Sequence, residues 1–363
     1  MKISISLERF KKGLGAIEKI AASKSTLPVL NNVLIKAEDN QVVLTATDLE
    51  VSINYYLGGK VDSPGSITVP SRVLINFINN LNEKKINLEV KDNILLATTE
   101  KSEASLNGIS AEEFPIIPKI KGEEILEIKG QVFKTAINQV SFATSFDESR
   151  PVLTGVYFVI DSDSFKIVAT DSYRLAEKIL TISGKKKASF IVPNKTIQEL
   201  HRVISGTEDI KIVLSENQVM FVLPDMEITS RIIEGEYPDY EQIIPKNFKT
   251  KAVLATHELA NTIKTASFFA KESANNVKIL FRKDLIDVEA TSSQLGSFKS
   301  QLKGSVTGDD NEINFNAKYI LDALNGIESD EVGLEVVGKL NPGVIKPVGG
   351  KDGITYIIMP LRS

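Results

Sequence analysis

The chain repeats itself at an interval close to one third of its length. Three dipeptides of the first third recur 123 residues later, namely Thr47-Asp48 as Thr170-Asp171, Val69-Pro70 as Val192-Pro193, and Phe114-Pro115 as Tyr237-Pro238. A third copy is weaker but visible around Phe315-Asn316, which follows Pro193 at the same interval. A repeat of this kind predicts successive units of one fold, and we place three domains at residues 1–121, 122–247 and 248–363.

Each copy has the same predicted order of elements. A helical stripe follows the first strand of each copy, at Leu7 to Ala21, Gln131 to Ser145 and Thr256 to Glu272. A second, shorter helix begins after each Val-Pro or Phe-Asn signal. The remaining segments are short, rich in β-branched residues and separated by polar turns, which indicates six to eight strands per copy. The predicted fold class is therefore α+β, with antiparallel sheets.

Composition excludes several classes of protein. Hydrophobic residues make up 42% of the 363 residues. Cysteine is absent, so disulfides, thiolate metal sites and cysteine nucleophiles are excluded. Two histidines, His201 and His257, leave little material for metal binding. No run approaches the ~20 apolar residues of a membrane span, and the first residues have no signal-peptide core. We expect a cytoplasmic protein without a cofactor.

Positive charge is concentrated on the predicted helices. They carry +2 on the first, +1 on each of the next three and zero on the last two, in a chain whose net charge is −4. A basic helical layer with an acidic remainder indicates a face that meets a polyanion. The alternative is that these lysines and arginines only solvate the outer faces of the helices.

Several motifs resemble those of bacterial sliding clamps, the beta subunits of DNA polymerase III. The motifs are Thr26–Asn32, Ala46–Glu50, Val168–Leu175, Tyr237–Tyr240 and Ile358–Arg362. The resemblance implies the DNA clamp fold: two three-domain chains close head to tail into a homodimeric ring, with helices lining a central hole and sheets outside. Twelve helices ~9 Å apart would enclose a hole ~34 Å across at their axes, wide enough for duplex DNA.

The resemblance also implies where DNA is contacted, without base recognition. It assigns Lys24 and the loop around Asp147 and Arg150. That loop lacks a tyrosine pair beside Leu153, so we expect Arg150 rather than aromatic stacking to contact DNA. Further channel residues, each open to the alternative of an ordinary solvated charge, are Lys12, Arg72, Lys134, Lys195, Arg202 and Lys264.

A pocket for partner peptides is implied in the same way. Its residues are Leu153, Thr170, Ser172, Tyr173, Arg174, Leu175, Pro238, Gln242, Ile243, Tyr319, Pro342, Ile357, Ile358, Met359, Pro360, Leu361 and Arg362. Partners of the family carry a short motif that begins with glutamine and ends in leucine-phenylalanine, which suits an apolar groove with a polar rim. Without the resemblance, residues 357–361 would be interpreted as a last core strand.

The implied subunit contact joins Phe268 and Phe269 to Ala104 and Leu106. Adjacent helical residues lie ~100° apart, so both phenylalanines cannot face one core. The resemblance further implies an ATP-driven clamp loader, the replicative polymerase and other motif-bearing proteins as partners.

Two alternatives remain open at this point. An enzyme would need an acid–base pair or metal cluster, but Asp48 and Asp171 lie in separate repeats and fit the side-chain capping of a turn. Gly58-Gly59 and Gly349-Gly350 lack the lysine of a phosphate-binding loop. A repeat-built adaptor that never encircles DNA is the second alternative, and the basic helices argue against it.

Overall fold

The computed structural model describes residues 1–21, 27–118, 120–349 and 353–362. Within these residues a similar order of helices and strands recurs three times, which agrees with the predicted α+β class. The copies hold nine, eight and nine strands, so the first and third exceed the predicted six to eight. The helices are α1 Leu7–Ala21, α2 Ser71–Asn79, α3 Gly130–Ser141, α4 Asn194–Val203, α5 Thr256–Ala270 and α6 Ala317–Asn325.

The strands are numbered in chain order. They are β1 Lys2–Ser6, β2 Asn32–Glu38, β3 Gln41–Thr47, β4 Val51–Gly58, β5 Lys60–Ser63, β6 Gly65–Pro70, β7 Lys85–Lys91, β8 Ile94–Thr98, β9 Glu103–Asn107, β10 Glu123–Lys129, β11 Gly155–Ile160, β12 Phe165–Thr170, β13 Arg174–Leu180, β14 Ala188–Pro193, β15 Asp209–Leu214, β16 Gln218–Leu223, β17 Met226–Arg231, β18 Thr250–Ala255, β19 Asn276–Arg282, β20 Leu285–Ser292, β21 Gly296–Lys303, β22 Ser305–Gly308, β23 Asn311–Asn316, β24 Glu331–Val336, β25 Gly343–Pro347 and β26 Ile354–Ile358.

The chain divides into two compact units. Unit 1 comprises Met1–Gln131 with Arg202–Ile232, and unit 2 comprises Val132–His201 with Ile233–Ser363. Unit 1 holds a five-stranded sheet, β5-β1-β7-β8-β9, and an eight-stranded sheet, β10-β15-β16-β17-β4-β3-β2-β6. Unit 2 holds a nine-stranded sheet, β14-β11-β12-β13-β26-β25-β24-β18-β22, and a four-stranded sheet, β21-β20-β19-β23.

Apolar stripes anchor the helices to these sheets. Phe10, Leu14 and Ile17 of α1 are fully buried against β3 and β4. Gly13 lets this helix approach closely, because a Cβ there would lie 2.9 Å from the Tyr55 ring. The periodicity of the sequence thus places α1 at its observed bounds.

Helix α3 ends four residues earlier than its sequence predicts. The Ala143 amide donates to the Val140 carbonyl, and the Thr144 amide to the Ser141 carbonyl, at 3.0 and 3.3 Å. These bonds between residues three apart tighten the chain into a turn after the helix. The apolar pattern continues through this turn, which is why periodicity alone overestimates the helix.

Two of the sheets join strands from successive copies of the repeat. In unit 1, β17 of the second copy pairs with β4 of the first. In unit 2, β26 of the third copy pairs with β13 of the second. The equivalent strands β9 and β21 are edge strands of their sheets in the described part of the chain.

Candidate binding surfaces

A tight turn between β12 and β13 carries four of the predicted pocket residues. The Thr170 hydroxyl donates to the Arg174 carbonyl at 2.6 Å. The Oδ1 atom of Asp171 accepts the amides of Tyr173 and Arg174, both at 2.9 Å. Ser172 has a φ of 76°, the left-handed conformation that non-glycine residues rarely adopt. The turn leaves Tyr173 62% exposed.

The first copy of the repeat contains the same turn. Asp48 Oδ1 accepts the amides of Glu50 and Val51 at 3.0 and 2.8 Å, and Leu49 has a φ of 79°. Asp48 and Asp171 therefore act as turn caps, as the capping interpretation of the repeated Thr-Asp pair predicts. Among the described residues no group of histidine, aspartate and glutamate is placed to hold a metal ion. In that same part of the chain, every helix is too short or too polar to cross a membrane.

Arg174 is a buried cation beside this turn. It is 7% exposed, and its Nε and Nη1 atoms donate to the carboxylates of Asp171 and Asp322 at 3.1 and 2.5 Å. Its Nη2 atom donates to the Phe142 carbonyl at 2.6 Å. The ring of Tyr319 lies over the guanidinium, 4.6 Å from Cζ to the ring centroid. Arg174 thus fixes the turn and the Tyr319 ring in place.

Beneath the turn lies a small apolar core. Leu175 and Ile357, both 1% exposed, are directly opposite each other because β13 pairs with β26. They pack with Val168, Tyr240 and Val344. We call this cluster the apolar floor. Residue 357 therefore belongs to a core strand, as the alternative interpretation of residues 357–361 predicts.

After β26 the chain crosses from one sheet of unit 2 to the other. The Met359 amide donates to the Tyr173 carbonyl at 2.9 Å, beside β13. Two residues later, the Leu361 amide donates to the Asn314 carbonyl of β23, also at 2.9 Å. These residues are partly exposed, so they form a wall above the apolar floor while the strand before them fills the core.

The other predicted pocket residues also lie in unit 2. Leu153 and Ile358 are buried, at 3% and 1% exposure, and Gln242 donates to Asp239 at 2.6 Å. The half-buried or exposed members are Pro238, Gln242, Ile243, Tyr319, Pro342, Met359, Pro360, Leu361 and Arg362. All of these residues belong to unit 2, and their assembly into one peptide pocket stays a prediction.

Sequence reasoning singled out the motif Tyr237–Tyr240 but missed the contacts that its tyrosines make beside the predicted pocket residues. The Tyr240 hydroxyl donates to the buried Glu177 carboxylate at 2.9 Å, and the Tyr237 ring stacks on Tyr157 with centroids 4.6 Å apart. Burial raises the pKa of Glu177, and burial together with the Glu177 charge raises the pKa of Tyr240. Two tyrosines three residues apart, in Tyr237-Pro-Asp-Tyr240, were the available signal.

Arg150 lies next to the turn between β12 and β13. Its Nη1 atom donates to the Ser172 hydroxyl at 2.9 Å, and its Nε atom is 3.8 Å from the Asp147 carboxylate. The structure thus places this predicted DNA contact at the edge of the pocket. Its contact with DNA stays a prediction.

The equivalent face of unit 1 differs from the apolar floor. Three of the five floor residues are replaced there by hydroxyl residues, namely Thr45, Ser52 and Thr229 in place of Val168, Leu175 and Ile357. Thr45 donates to Asn54 at 2.9 Å, and a cavity of about 550 Å³ lies over this face. At these three positions the junction in unit 2 is therefore the more apolar of the two.

The predicted DNA-contact cations differ in how they are held. Arg202 donates to the carbonyls of Gly15 and Ala16 at 2.8 and 2.5 Å, so its guanidinium attaches the end of α4 to α1. Lys12 is exposed but lies 3.3 Å from the Asp225 carboxylate. Of the others, Arg72, Lys195 and Lys264 are exposed and Lys134 is half-buried. Lys24 lies outside the described residues.

The two phenylalanines of α5 have different surroundings. Phe269 stacks on Phe298 of β21, with ring centroids 5.8 Å apart and planes at 20°. Phe268 is 53% exposed. Ala104 and Leu106 are half-buried and share one face of the edge strand β9. The two predicted contact surfaces thus lie at the open edges of two different sheets.

Comparison with known proteins covers the whole chain. Family models for the N-terminal, central and C-terminal domains of the DNA polymerase III beta subunit match residues 1–118, 127–239 and 241–362. The beta sliding clamp of Staphylococcus epidermidis is 33% identical over the full length of both chains. The solved sliding clamp of Bacillus subtilis has a TM-score of 0.95 at 28% identity, and covers 100% of this chain and 99% of its own. The beta subunit of Streptococcus pyogenes has a TM-score of 0.96 at 26% identity, with both chains fully covered.

Proposed function

This chain belongs to the family of DNA polymerase III beta subunits, the beta sliding clamps, and we propose that two copies of it close head to tail into a ring of six domains. It has the three-domain clamp fold. Its function is that of the family: it encircles double-stranded DNA and tethers the replicative polymerase, as a processivity factor that catalyses no reaction. We place the domains at residues 1–121, 122–247 and 248–363.

The observation that carries the ring is the repeated pairing of equivalent strands. Within one chain, β17 pairs with β4 and β26 pairs with β13. The third pair of this series is β9 with β21, and each is an edge strand of its own sheet in the described residues. Pairing β9 of one protomer with β21 of its partner supplies the missing junction. Such a heterologous contact, made twice, closes a ring of two subunits.

The register of this contact follows from the junction inside unit 1. There Thr229 pairs with Ser52. Aligning the hairpins of the repeat copies places Ser105 opposite Ser297 of the partner subunit. Ala104 then lies opposite the partner's Phe298, and a small residue leaves room for that ring. The predicted contact of Ala104 with the α5 phenylalanines agrees with this register, because Phe269 stacks on Phe298.

Weak, sequence-independent contacts with DNA suit such a ring. Linkage around the duplex prevents dissociation, so phosphate contacts need only screen repulsion and can exchange during sliding. Arg72 and Lys264 are the most suitable candidates, because both are exposed and neither has an ion-pair partner among the described residues. The further proposed contacts are Lys12, Lys24, Lys134, Arg150, Lys195 and Arg202.

The pocket of unit 2 is the proposed docking site for partners. Its apolar floor would hold the leucine-phenylalanine end of the clamp-binding motif, and its partly polar rim the glutamine. Replicative polymerase, clamp loader and other proteins with this motif would compete for two such pockets per ring. The loader would open the β9–β21 contact with ATP. Because the protein works on chromosomal DNA, we place it in the cytoplasm.

Sedimentation and DNA retention test the ring together. We expect a species near twice 39.8 kDa that stays on nicked circular DNA after loading and leaves linear DNA by sliding off its ends. Equal retention on circular and linear DNA, or on neither, would instead favour an adaptor that does not encircle DNA.

Phe268 offers a matched variant for the interface. Phe268 and Phe248 are 53% and 49% exposed, and each has a lysine 5.7 to 5.8 Å from its ring. Phe268→Ala should weaken the dimer by about tenfold, the usual cost of removing a buried aromatic contact. Phe248→Ala should leave the mass unchanged. A dimer that is insensitive to the first substitution would contradict the proposed interface.

A further inference from the structure

A groove lies next to the pocket in unit 2, on the other side of the C-terminal segment, which comprises residues 359–362. It has a volume of about 320 Å³ and is lined mainly by Lys278, Glu312, Asn314, Lys339, Leu340 and Arg362. Leu361 lines it as well, so the wall of the pocket is also the wall of this groove. We call it the C-terminal groove.

Positive charge dominates the lining of this groove. Lys278 pairs with Glu312 at 2.7 Å, and the hydrogen bond and charge of Lys278, with the more distant charge of Lys339, hold the pKa of Glu312 below its ordinary value. Lys339 and Arg362 are exposed and make no ion pair with any described residue within 4.0 Å. The groove therefore presents two cations that have no ion pair among the described residues, beside Leu340, which is 71% exposed.

The C-terminal segment connects the apolar floor of the pocket with the groove. Leu175 and Ile357 form the apolar floor where β13 meets β26. The C-terminal segment then leads away from this floor to Asn314 of β23, which lines the groove. A motif whose leucine and phenylalanine occupy the floor, and whose chain follows this segment, has its glutamine near the groove. The residues that precede the glutamine would enter it.

We propose that the C-terminal groove binds acidic residues that immediately precede the glutamine of a partner's clamp-binding motif. This inference rests on the proposed peptide-binding function of the pocket and names a feature of its partners. An extended chain advances ~3.3 Å per residue, so two or three residues span a groove of this size. Complementary charge at such a rim selects among partners and speeds their association.

Fluorescence anisotropy with the full-length protein tests the proposal directly. The probes are labelled peptides that carry the glutamine-to-phenylalanine motif with three aspartates, three serines or three lysines before it, and a fourth with three aspartates after it. We expect the first peptide to bind about fivefold more tightly than the serine peptide, as rim ion pairs allow. Because the pairs are exposed, this gain should shrink to less than twofold in 0.5 M salt.

A charge reversal assigns the gain to the groove. Lys339→Glu should abolish the advantage of the aspartate peptide and leave the serine peptide unaffected within twofold. Lys283→Glu, an exposed lysine in the turn after β19, is the matched control and should preserve the advantage.

The outcomes separate this inference from the function it rests on. Failure of the serine peptide to bind would refute the pocket itself. The inference alone is overturned if the serine peptide binds but preceding aspartates add nothing. It is likewise overturned if the gain comes only from aspartates after the phenylalanine, or if it survives Lys339→Glu.

Discussion

The guanidinium of Arg174 joins three segments that are distant in the sequence. Its partners are the Phe142 carbonyl after α3, the Asp171 carboxylate in the adjoining turn and the Asp322 carboxylate on α6. All three contacts are made by a residue that is 7% exposed. Removal of one member of a buried charge network leaves the others desolvated and unpaired, which typically costs 3–5 kcal/mol. Arg174 is therefore a structural residue of the proposed pocket.

Replacement of Arg174 by methionine should destabilise unit 2 and disorder the pocket. We expect Arg174→Met to lower the free energy of unfolding by about 3 kcal/mol, because Asp171 and Asp322 would face each other without a cation. Urea denaturation followed by circular dichroism measures this change, and motif-peptide affinity should fall with it. The double variant with Asp322→Asn should recover part of the loss.

Arg150→Met is the comparison for this change. Arg150 is exposed and makes one hydrogen bond to Ser172, so we expect a change below about 0.5 kcal/mol. Equal stability of the two methionine variants would show that the Arg174 network contributes nothing to the fold.

At the residue scale, sequence motifs pointed to the residues of the proposed pocket but not to the residues that support them. Thr170, Arg174 and Leu175 lie in one short motif, and the family resemblance pointed to them. Asp322 contacts Arg174 across 148 positions of the chain, and no local pattern signals such a contact. The motif Tyr237–Tyr240 was recognised, but the contact of Tyr240 with Glu177, 63 positions away, was missed for the same reason.

At the scale of elements, the sequence determines the type of an element more fully than it determines which strands pair. A stripe such as Phe10, Leu14 and Ile17 specifies a helix and its buried face, and α1 has its predicted bounds. A period of two specifies a strand but not its neighbour. The pairing of β17 with β4, across more than 170 residues, depends on the packing of the whole unit. The repeat predicts which strands are neighbours, which hydrophobic periodicity cannot do, because equivalent strands have equivalent neighbours.

The hydrogen-bonding phase of β9 gives a sharp test of the proposed subunit contact. The Gly108 amide, directly after β9, donates to the Asn93 carbonyl, directly before β8. This amide therefore points to the β8 side of the hairpin. Alternation along the strand then directs the Ser105 amide away from β8, to the open edge. Ser105→Pro removes that donor, and proline is tolerated at a strand edge. We expect the dimer to dissociate while thermal stability of the monomer changes by less than about 1 kcal/mol.

Analytical ultracentrifugation and a thermal melt of the same sample measure both quantities. Ser297→Pro should have the same effect from the other side of the contact, because Ser297 also alternates outward from β20. A stable dimer in both proline variants would exclude the β9–β21 pairing.

At the scale of the whole molecule, retention on DNA and attraction to DNA have separate causes. The chain has a net charge of −4, so we expect attraction to DNA to depend on the positive charge of the helices. In the proposed ring, retention depends on closure, which is a property of sheet edges. Mutations of helix cations and mutations of β9 should therefore give different defects.

The double variant Arg72→Glu with Lys264→Glu separates these causes. If both residues face DNA, the slope of log affinity against log salt should fall by about two, and binding to linear duplex in low salt by about tenfold. Once loaded on a nicked circle, the same variant should be retained as long as the wild type, because linkage does not require these contacts.

The matched control reverses two exposed lysines outside the helices, Lys246→Glu with Lys283→Glu, and should keep the wild-type slope. An unchanged slope in the helix variant would remove Arg72 and Lys264 from the DNA-facing surface. Rapid loss of a dimeric helix variant from circles would mean that contacts, rather than topology, hold the protein on DNA.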